Sequence, residues 1–270
     1  MIHGMASNAF PDSLHFVRDD SMSSSEPDNH IKDYLYKMDH FDDCHKDDRL
    51  LNDQLQRMLR STVSRLKRIE YTVGHGNFYL IDFDQAIKIA RGYTHVGAFT
   101  SQELDFIEMI FYSDASVYGF LGKKPLAHIT DRIDENRVVS VPDTGNYLYK
   151  GLAEETYWRI KKDIGDDVVL TSGIRGIPKQ LYLFLNKTLN SRGNLSIASR
   201  SLAPPGYSFH GVGDFDVGQV NFGVDNFTER FISTPVYHKL CDLGYVRLRY
   251  PRENLLGVRF EPWHITLMAS

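Results

Sequence analysis

The residues best able to do chemistry lie in two short segments near the C-terminal end of the chain. One runs from Tyr207 to Gly218 (YSFHGVGDFDVG) and the other from Phe260 to Ile265 (FEPWHI). Together they hold two histidines and three carboxylates, in or beside stretches whose composition predicts strands. Strand interiors favour β-branched and aromatic side chains, so acidic residues there call for a reason, and a metal ion supplies one. Two neutral imidazoles and a carboxylate, with a fourth position open, make the ligand set of a catalytic zinc site. The candidates are His210, His264 and either Asp214 or Asp216, which alternation alone does not separate because both fall on one strand face. Glu261 and His264 face opposite ways along a flat strand. They can share one site only if the backbone turns, and Pro262, which cannot join a regular ladder, favours such an irregularity. His75, His95, His128 and His238 have no comparable setting and read as ordinary core or surface residues.

The elements that must position these residues follow from periodicity. Asp48 to Tyr71 carries Leu51, Leu55, Met58, Leu59, Val63 and Leu66 mostly at spacings of three and four, an amphipathic helix. Further helices are predicted over Phe83 to Ala90, over Leu152 to Ile164, and from Thr100, which forms a capping box with Glu103, toward Tyr118. Beyond Gly165 the pattern changes to a strand over Asp167 to Thr171, a helix over Pro178 to Asn190, and a polar connection over Gly193 to Leu202. A stiff turn at Ala203-Pro204-Pro205-Gly206 precedes a Gly-punctuated strand over Phe209 to Val220. Thr234 caps a helix with Pro235 at its first position and Gly244 past its end, and strands over Tyr245 to Tyr250 and Val258 to Leu267 complete the chain.

Helices and strands do not alternate as βαβ units. The expected fold is therefore α+β, an antiparallel sheet core flanked by helices, with a largely helical N-terminal half. The expected organisation is a polar, Ser-rich leader over residues 1–30, a helical portion over 31–166 and a core over 167–270.

Composition narrows the function classes. The 270 residues carry a formal net charge of −4, which argues against a nucleic-acid or anionic-membrane partner. No run approaches the ~20 apolar residues of a spanning helix. Cys44 and Cys241, the only cysteines, exclude a thiolate-rich zinc site and leave His/Asp ligation as the available type. The N-terminus shows neither the basic nor the apolar region of a secretory signal.

Three motifs in order resemble one family. Glu261-Pro262-Trp263-His264 is similar to the ExWH motif of the VanY-type D-alanyl-D-alanine carboxypeptidases, zinc peptidases grouped with lysostaphin and the hedgehog signalling domain. The segment from Ser208 to Asp216 resembles their SxHxxGxAxD motif, and Ser172-Gly173-Ile174-Arg175, with Gln180 following, resembles their SGxR…Q segment. The family usually places its ligand Asp seven residues after the His, whereas here Asp216 lies six and Asp214 four residues after His210. Asp216-Val217 matches the Asp-apolar ending of the motif, so Asp216 is the favoured ligand.

The resemblance implies that His210, Asp216 and His264 hold Zn2+, that Glu261 acts as general acid/base, and that Arg175 stabilises charge on the scissile carbonyl. It implies substrate contacts from Ser208 and Gln180. The expected reaction is release of terminal D-Ala from peptidoglycan stem peptides. A dipeptidase, a wall endopeptidase or a non-hydrolytic zinc-bearing binding module would use the same constellation. The expected place of action is the cell envelope or periplasm, with the cytoplasm left open by the lack of a signal, and a monomer is favoured.

Overall fold

The computed structural model describes residues 31–267, and the leader expected over residues 1–30 lies outside them. The described chain opens with α1 (Ile31–Asp39) and α2 (Asp53–Val73). α2 starts later than Asp48 because Asn52 caps it, its side chain accepting the Leu55 N–H. Leu59, Val63, Leu66 and Ile69 then form one buried stripe. Next come α3 (His75–Phe78), α4 (Phe83–Gly92) and α5 (Ser101–Tyr112). The predicted capping box of α5 is formed in both directions, with Glu103 N–H donating to Thr100 Oγ1 and Thr100 N–H donating to Glu103 Oε2.

A hairpin follows that the sequence reading does not anticipate, β1 (Val138–Val141) paired antiparallel with β2 (Asn146–Tyr149). The remaining elements are α6 (Leu152–Ile164), β3 (Val168–Ser172), α7 (Ile177–Asn190), α8 (Leu195–Ser201), β4 (Phe215–Gln219), α9 (Pro235–Asp242) and β5 (His264–Ile265). β4 lies between β3 and β5, antiparallel to both. The molecule is thus α+β, with small antiparallel sheets and a largely helical N-terminal half.

Three local expectations are corrected. Gly193 to Leu202 is not a polar connection, because Leu195–Ser201 is a buried helix whose polar groups find distant partners. Arg200 pairs with Asp48, and Ser199 Oγ donates to Tyr118 O. Phe209 to Val220 is not one strand. Phe209–Gly211 is a 3-10 turn, Gly213 adopts φ +136°, and β4 begins only at Phe215. Tyr245 to Tyr250 is irregular, and of Val258 to Leu267 only His264–Ile265 joins the sheet.

Two apolar cores are present among the described residues. One joins α2, α4, α5, α7 and α8 around Leu66, Phe106, Phe111 and Phe184. The other joins the hairpin, α6, the sheet and α9 around Leu148, Ile160, Phe215, Val217 and Trp263. The hairpin and α6 pack with the sheet in this second core.

The first core is held at one edge by a buried ion pair. Arg65 of α2 donates from Nε and Nη2 to the two oxygens of Glu103, each at 3.1 Å. Burial opposes ionisation of Glu103, but the Thr100 N–H and Arg65 outweigh it and hold the carboxyl below its ordinary pKa. Its stabilisation is therefore full above the unfolded-state value of about 4.3 and is lost as pH falls through the lower folded-state value. Glu103→Gln keeps a capping side chain at this position but removes the charge opposite Arg65. Urea denaturation should show a loss of about 3 kcal/mol at neutral pH. The gap to wild type should narrow as pH falls below the unfolded-state value of about 4.3, and a gap that stays constant down to the lowest pH at which both proteins fold contradicts the assignment.

Candidate active site

The sheet register builds the site. Phe215 and Val217 of β4 point into the apolar core, so alternation sends Asp216 to the opposite face. There Asp216 is paired with Ser172 of β3 on one side and with His264 of β5 on the other. The register shifts between Leu170 and Ser172, an irregularity at the end of β3 where the chain leaves toward Arg175. His210 reaches the same place from its 3-10 turn. His210, Asp216 and His264 are all buried, and one ligand atom from each can be chosen so that all lie within 4.8 Å of one another.

Each imidazole is oriented by the nitrogen that faces away from this centre. His210 Nδ1 lies 2.7 Å from Gly173 O, which places the proton on Nδ1 and leaves the Nε2 lone pair toward Asp216 Oδ1, 3.2 Å away. His264 Nε2 lies 2.9 Å from Asp214 Oδ2, which leaves Nδ1 toward Asp216 Oδ1 at 3.1 Å. Backbone carbonyl and carboxylate partners of this kind fix the ring and raise its basicity toward a metal. Asp216 Oδ1, buried between the two rings, has no hydrogen-bond partner among the described residues. An unpaired buried carboxylate oxygen facing two imidazole lone pairs fits a divalent cation of the zinc type.

The two aspartates thus touch opposite edges of His264. Asp214 precedes β4 after the Gly213 turn, so it does not share a strand face with Asp216. It accepts from Arg249 Nε at 2.7 Å and from Leu267 N–H at 3.0 Å as well as from His264. Burial opposes its ionisation, but His264 and Arg249 overcome that and hold its pKa at about 2. Asp216 is also pulled well below the carboxylate range, against burial, by His210 and Arg175. Burial disfavours a charged His264, yet the hydrogen bond to Asp214 and the nearby negative charge of Asp216 push its pKa up to about 9. His210 goes the other way, lowered by burial and by Arg175.

Glu261 joins the centre through a turn. His264 N–H lies 3.3 Å from Glu261 O across Pro262 and Trp263, and Glu261 Oε2 is 3.9 Å from His264 Nδ1. Burial, reinforced by nearby Asp216 and opposed by His264, raises the Glu261 pKa to about 7. Arg175 sits against the same carboxylate, with Nη2 2.6 Å from Asp216 Oδ2 and Nε 2.8 Å from Ser172 Oγ. Gln180 bridges backbone, donating from Nε2 to Arg175 O and accepting the Gly206 N–H at Oε1.

A small cleft opens onto this cluster. Arg175, Ser208, His210, Glu261 and His264 line it together with the apolar Leu183 and Leu202 and the ring of Tyr250. The structure therefore brings together all seven residues singled out from the sequence. Arg249 and Gly173 O were not anticipated. An arginine in a run expected to be a strand was the available signal for Arg249, whereas a backbone acceptor leaves none.

Comparison with known proteins adds a family. Residues 154–270 match the model of the family described as VanY, D-alanyl-D-alanine carboxypeptidase. No curated protein matches the chain significantly. Among solved structures, the LdcB LD-carboxypeptidase is 26% identical over 44% of this chain and 58% of its own, with a TM-score of 0.36. A mutant VanY D,D-pentapeptidase of a VanB-type resistance cassette, in complex with Zn(II), is 20% identical over 54% of this chain and 86% of its own, with a TM-score of 0.39. The D,D-dipeptidase VanXYg, in complex with a D-Ala-D-Ala phosphinate analogue, is 21% identical over 54% and 61%, with a TM-score of 0.42. The chain thus spans under two thirds of the LdcB and VanXYg chains. The chain is therefore similar to the VanY D-alanyl-D-alanine carboxypeptidase family over its C-terminal part, residues 154–270.

Proposed function

We propose that the protein is a zinc-dependent D,D-carboxypeptidase that releases the terminal D-Ala of peptidoglycan stem peptides. The observation that carries this reading is the unpaired Asp216 Oδ1 between two imidazole nitrogens, each aimed inward by a hydrogen bond on the far side of its ring. His210 Nε2, His264 Nδ1 and Asp216 Oδ1 would hold zinc, which when bound lowers the pKa of a water from 15.7 toward ~7. The buried Glu261 carboxylate takes the proton of the attacking water and hands it to the leaving amine nitrogen. Arg175 is held rigid by Asp216 and Ser172 at the cleft wall, where its fixed positive charge stabilises the oxygen of the scissile carbonyl. Ser208 offers its hydroxyl to the substrate, and Gln180 shapes the cleft by joining the Arg175 and Gly206 backbones. Asp214 is assigned the second layer, where it orients His264 and is itself neutralised by Arg249. A peptidoglycan substrate is compatible with action in the cell envelope, with the cytoplasm left open, and no helix among the described residues is long and apolar enough to cross a membrane.

The test is incubation of the purified protein with a pentapeptide ending D-Ala-D-Ala, with zinc content by elemental analysis. One zinc per chain and release of free D-Ala are expected, and a protein without metal refutes the reading. Zinc without cleavage of the peptide or of intact wall points instead to a binding module, and release of D-Ala-D-Ala to a dipeptidase. Glu261→Ala should retain zinc while turnover falls by about 10³-fold, the range of a lost general acid/base. Asp216→Asn should lose the metal, whereas Asp214→Asn should keep it with affinity weakened by about 10–100-fold. The reverse order would exchange the two roles.

A further inference from the structure

The β1–β2 hairpin lies outside residues 154–270, yet it grips both backbone segments that orient His210. The first grip is on the segment that accepts the imidazole proton. Tyr147 O accepts the Ile174 N–H at 2.8 Å, next to Gly173, whose own carbonyl receives His210 Nδ1. The approach is so close that a Cβ added to Gly173 would stand 1.9 Å from Tyr147 O, so only glycine permits it. The second grip is on the segment that carries the ring. Tyr149 Oη donates to Gly211 O at 3.0 Å, immediately after His210. Tyr147 and Tyr149 are two residues apart on one short strand held in register by β1, with Ser140 opposite Tyr147 and Val138 opposite Tyr149. The hairpin therefore sets the distance between the imidazole and the carbonyl that fixes its tautomer. Burial raises the Tyr149 pKa, so its hydroxyl stays a proton donor.

We propose that Tyr149 is a positioning residue for His210, so that the hairpin belongs to the functional unit of this protein. This rests on the zinc reading above but makes a separate claim about which residues hold the ligand. Removing the hydroxyl leaves Gly211 O without its partner and the 3-10 turn free to shift, so the Nε2 lone pair loses its aim. Groups that orient a metal ligand typically weaken metal affinity by 10–100-fold when lost. Tyr149 acts through backbone, so about 10-fold is expected.

The test compares wild type, Tyr149→Phe and Tyr245→Phe, the last removing a hydroxyl bonded to Asp163 outside the site. Zinc affinity by competition with a chromophoric chelator should fall about 10-fold in Tyr149→Phe and stay unchanged in Tyr245→Phe. The visible spectrum of the Co2+-loaded protein should change in Tyr149→Phe alone. Hydrogen exchange without added metal gives a readout independent of zinc. Peptides covering residues 208–213 should exchange faster in Tyr149→Phe, with α6 protected as in wild type. Wild-type affinity, spectrum and exchange in Tyr149→Phe overturn the proposal while leaving the zinc reading intact. A wild type that binds no zinc overturns the zinc reading, and the exchange data then decide whether Tyr149 holds the His210 turn.

Discussion

The structure turns on one buried carboxylate. Asp216 sits mid-sheet with its side chain out of water, and an isolated charge there would cost several kcal/mol. Arg175 engages one oxygen, and the two histidines face the other. Everything around it reads as a consequence. β4 must be the central strand so that both neighbours can deliver partners to the same residue. The bulge at the end of β3 brings Ser172 opposite Asp216, where its hydroxyl holds the Arg175 guanidinium. The turn through Pro262 brings Glu261 beside the histidine that it precedes in sequence.

A second ring of interactions keeps the first from collapsing into ordinary ion pairs. Without Gly173 O, His210 could turn its proton toward Asp216; without Asp214, His264 could do the same. Each outward acceptor occupies one nitrogen of its ring and so reserves the other for the centre. Arg249 in turn neutralises Asp214 and stacks on the Phe209 ring, 3.4 Å from its centroid, which ties the His264 partner to the His210 turn. The site is therefore a closed set of dependencies, several of which run into the hairpin and the helical half. The same logic explains Lys179, buried in α7 against Tyr79 and paired with Glu70 of α2 at 2.9 Å, which fastens the helical half beside the Arg175 segment.

Much of this could be read from residue order. The capping box of α5, the span of α6 and the Thr234-Pro235 start of α9 are local signals, and the observed elements follow them. The two histidines and three carboxylates stood out because acidic residues are unusual in strands, whereas the choice of Asp216 and the roles of Glu261, Arg175, Ser208 and Gln180 came from the resemblance of three motifs in order. What stayed hidden depends on partners far away in sequence. Ser196, Ser199 and Arg200 look like loop residues until Arg49, Tyr118 and Asp48 satisfy them, and a buried helix is the result. Arg249 and Tyr250 suggested a strand, but Asp214 takes the guanidinium and Glu261 N–H takes the Tyr250 carbonyl, so the segment bonds irregularly instead. Alternation placed the two aspartates on one face because it could not foresee the Gly213 turn between His210 and β4.

The central claim is that two imidazoles and the Asp216 carboxylate share one metal ion. X-ray absorption at the zinc edge tests it most directly on the zinc-loaded protein. The account predicts a shell of light N/O scatterers at about 2.0–2.1 Å with the outer-shell features of two imidazole rings and no sulfur. A shell containing sulfur at about 2.3 Å, one lacking imidazole features, or no bound zinc at all would contradict it.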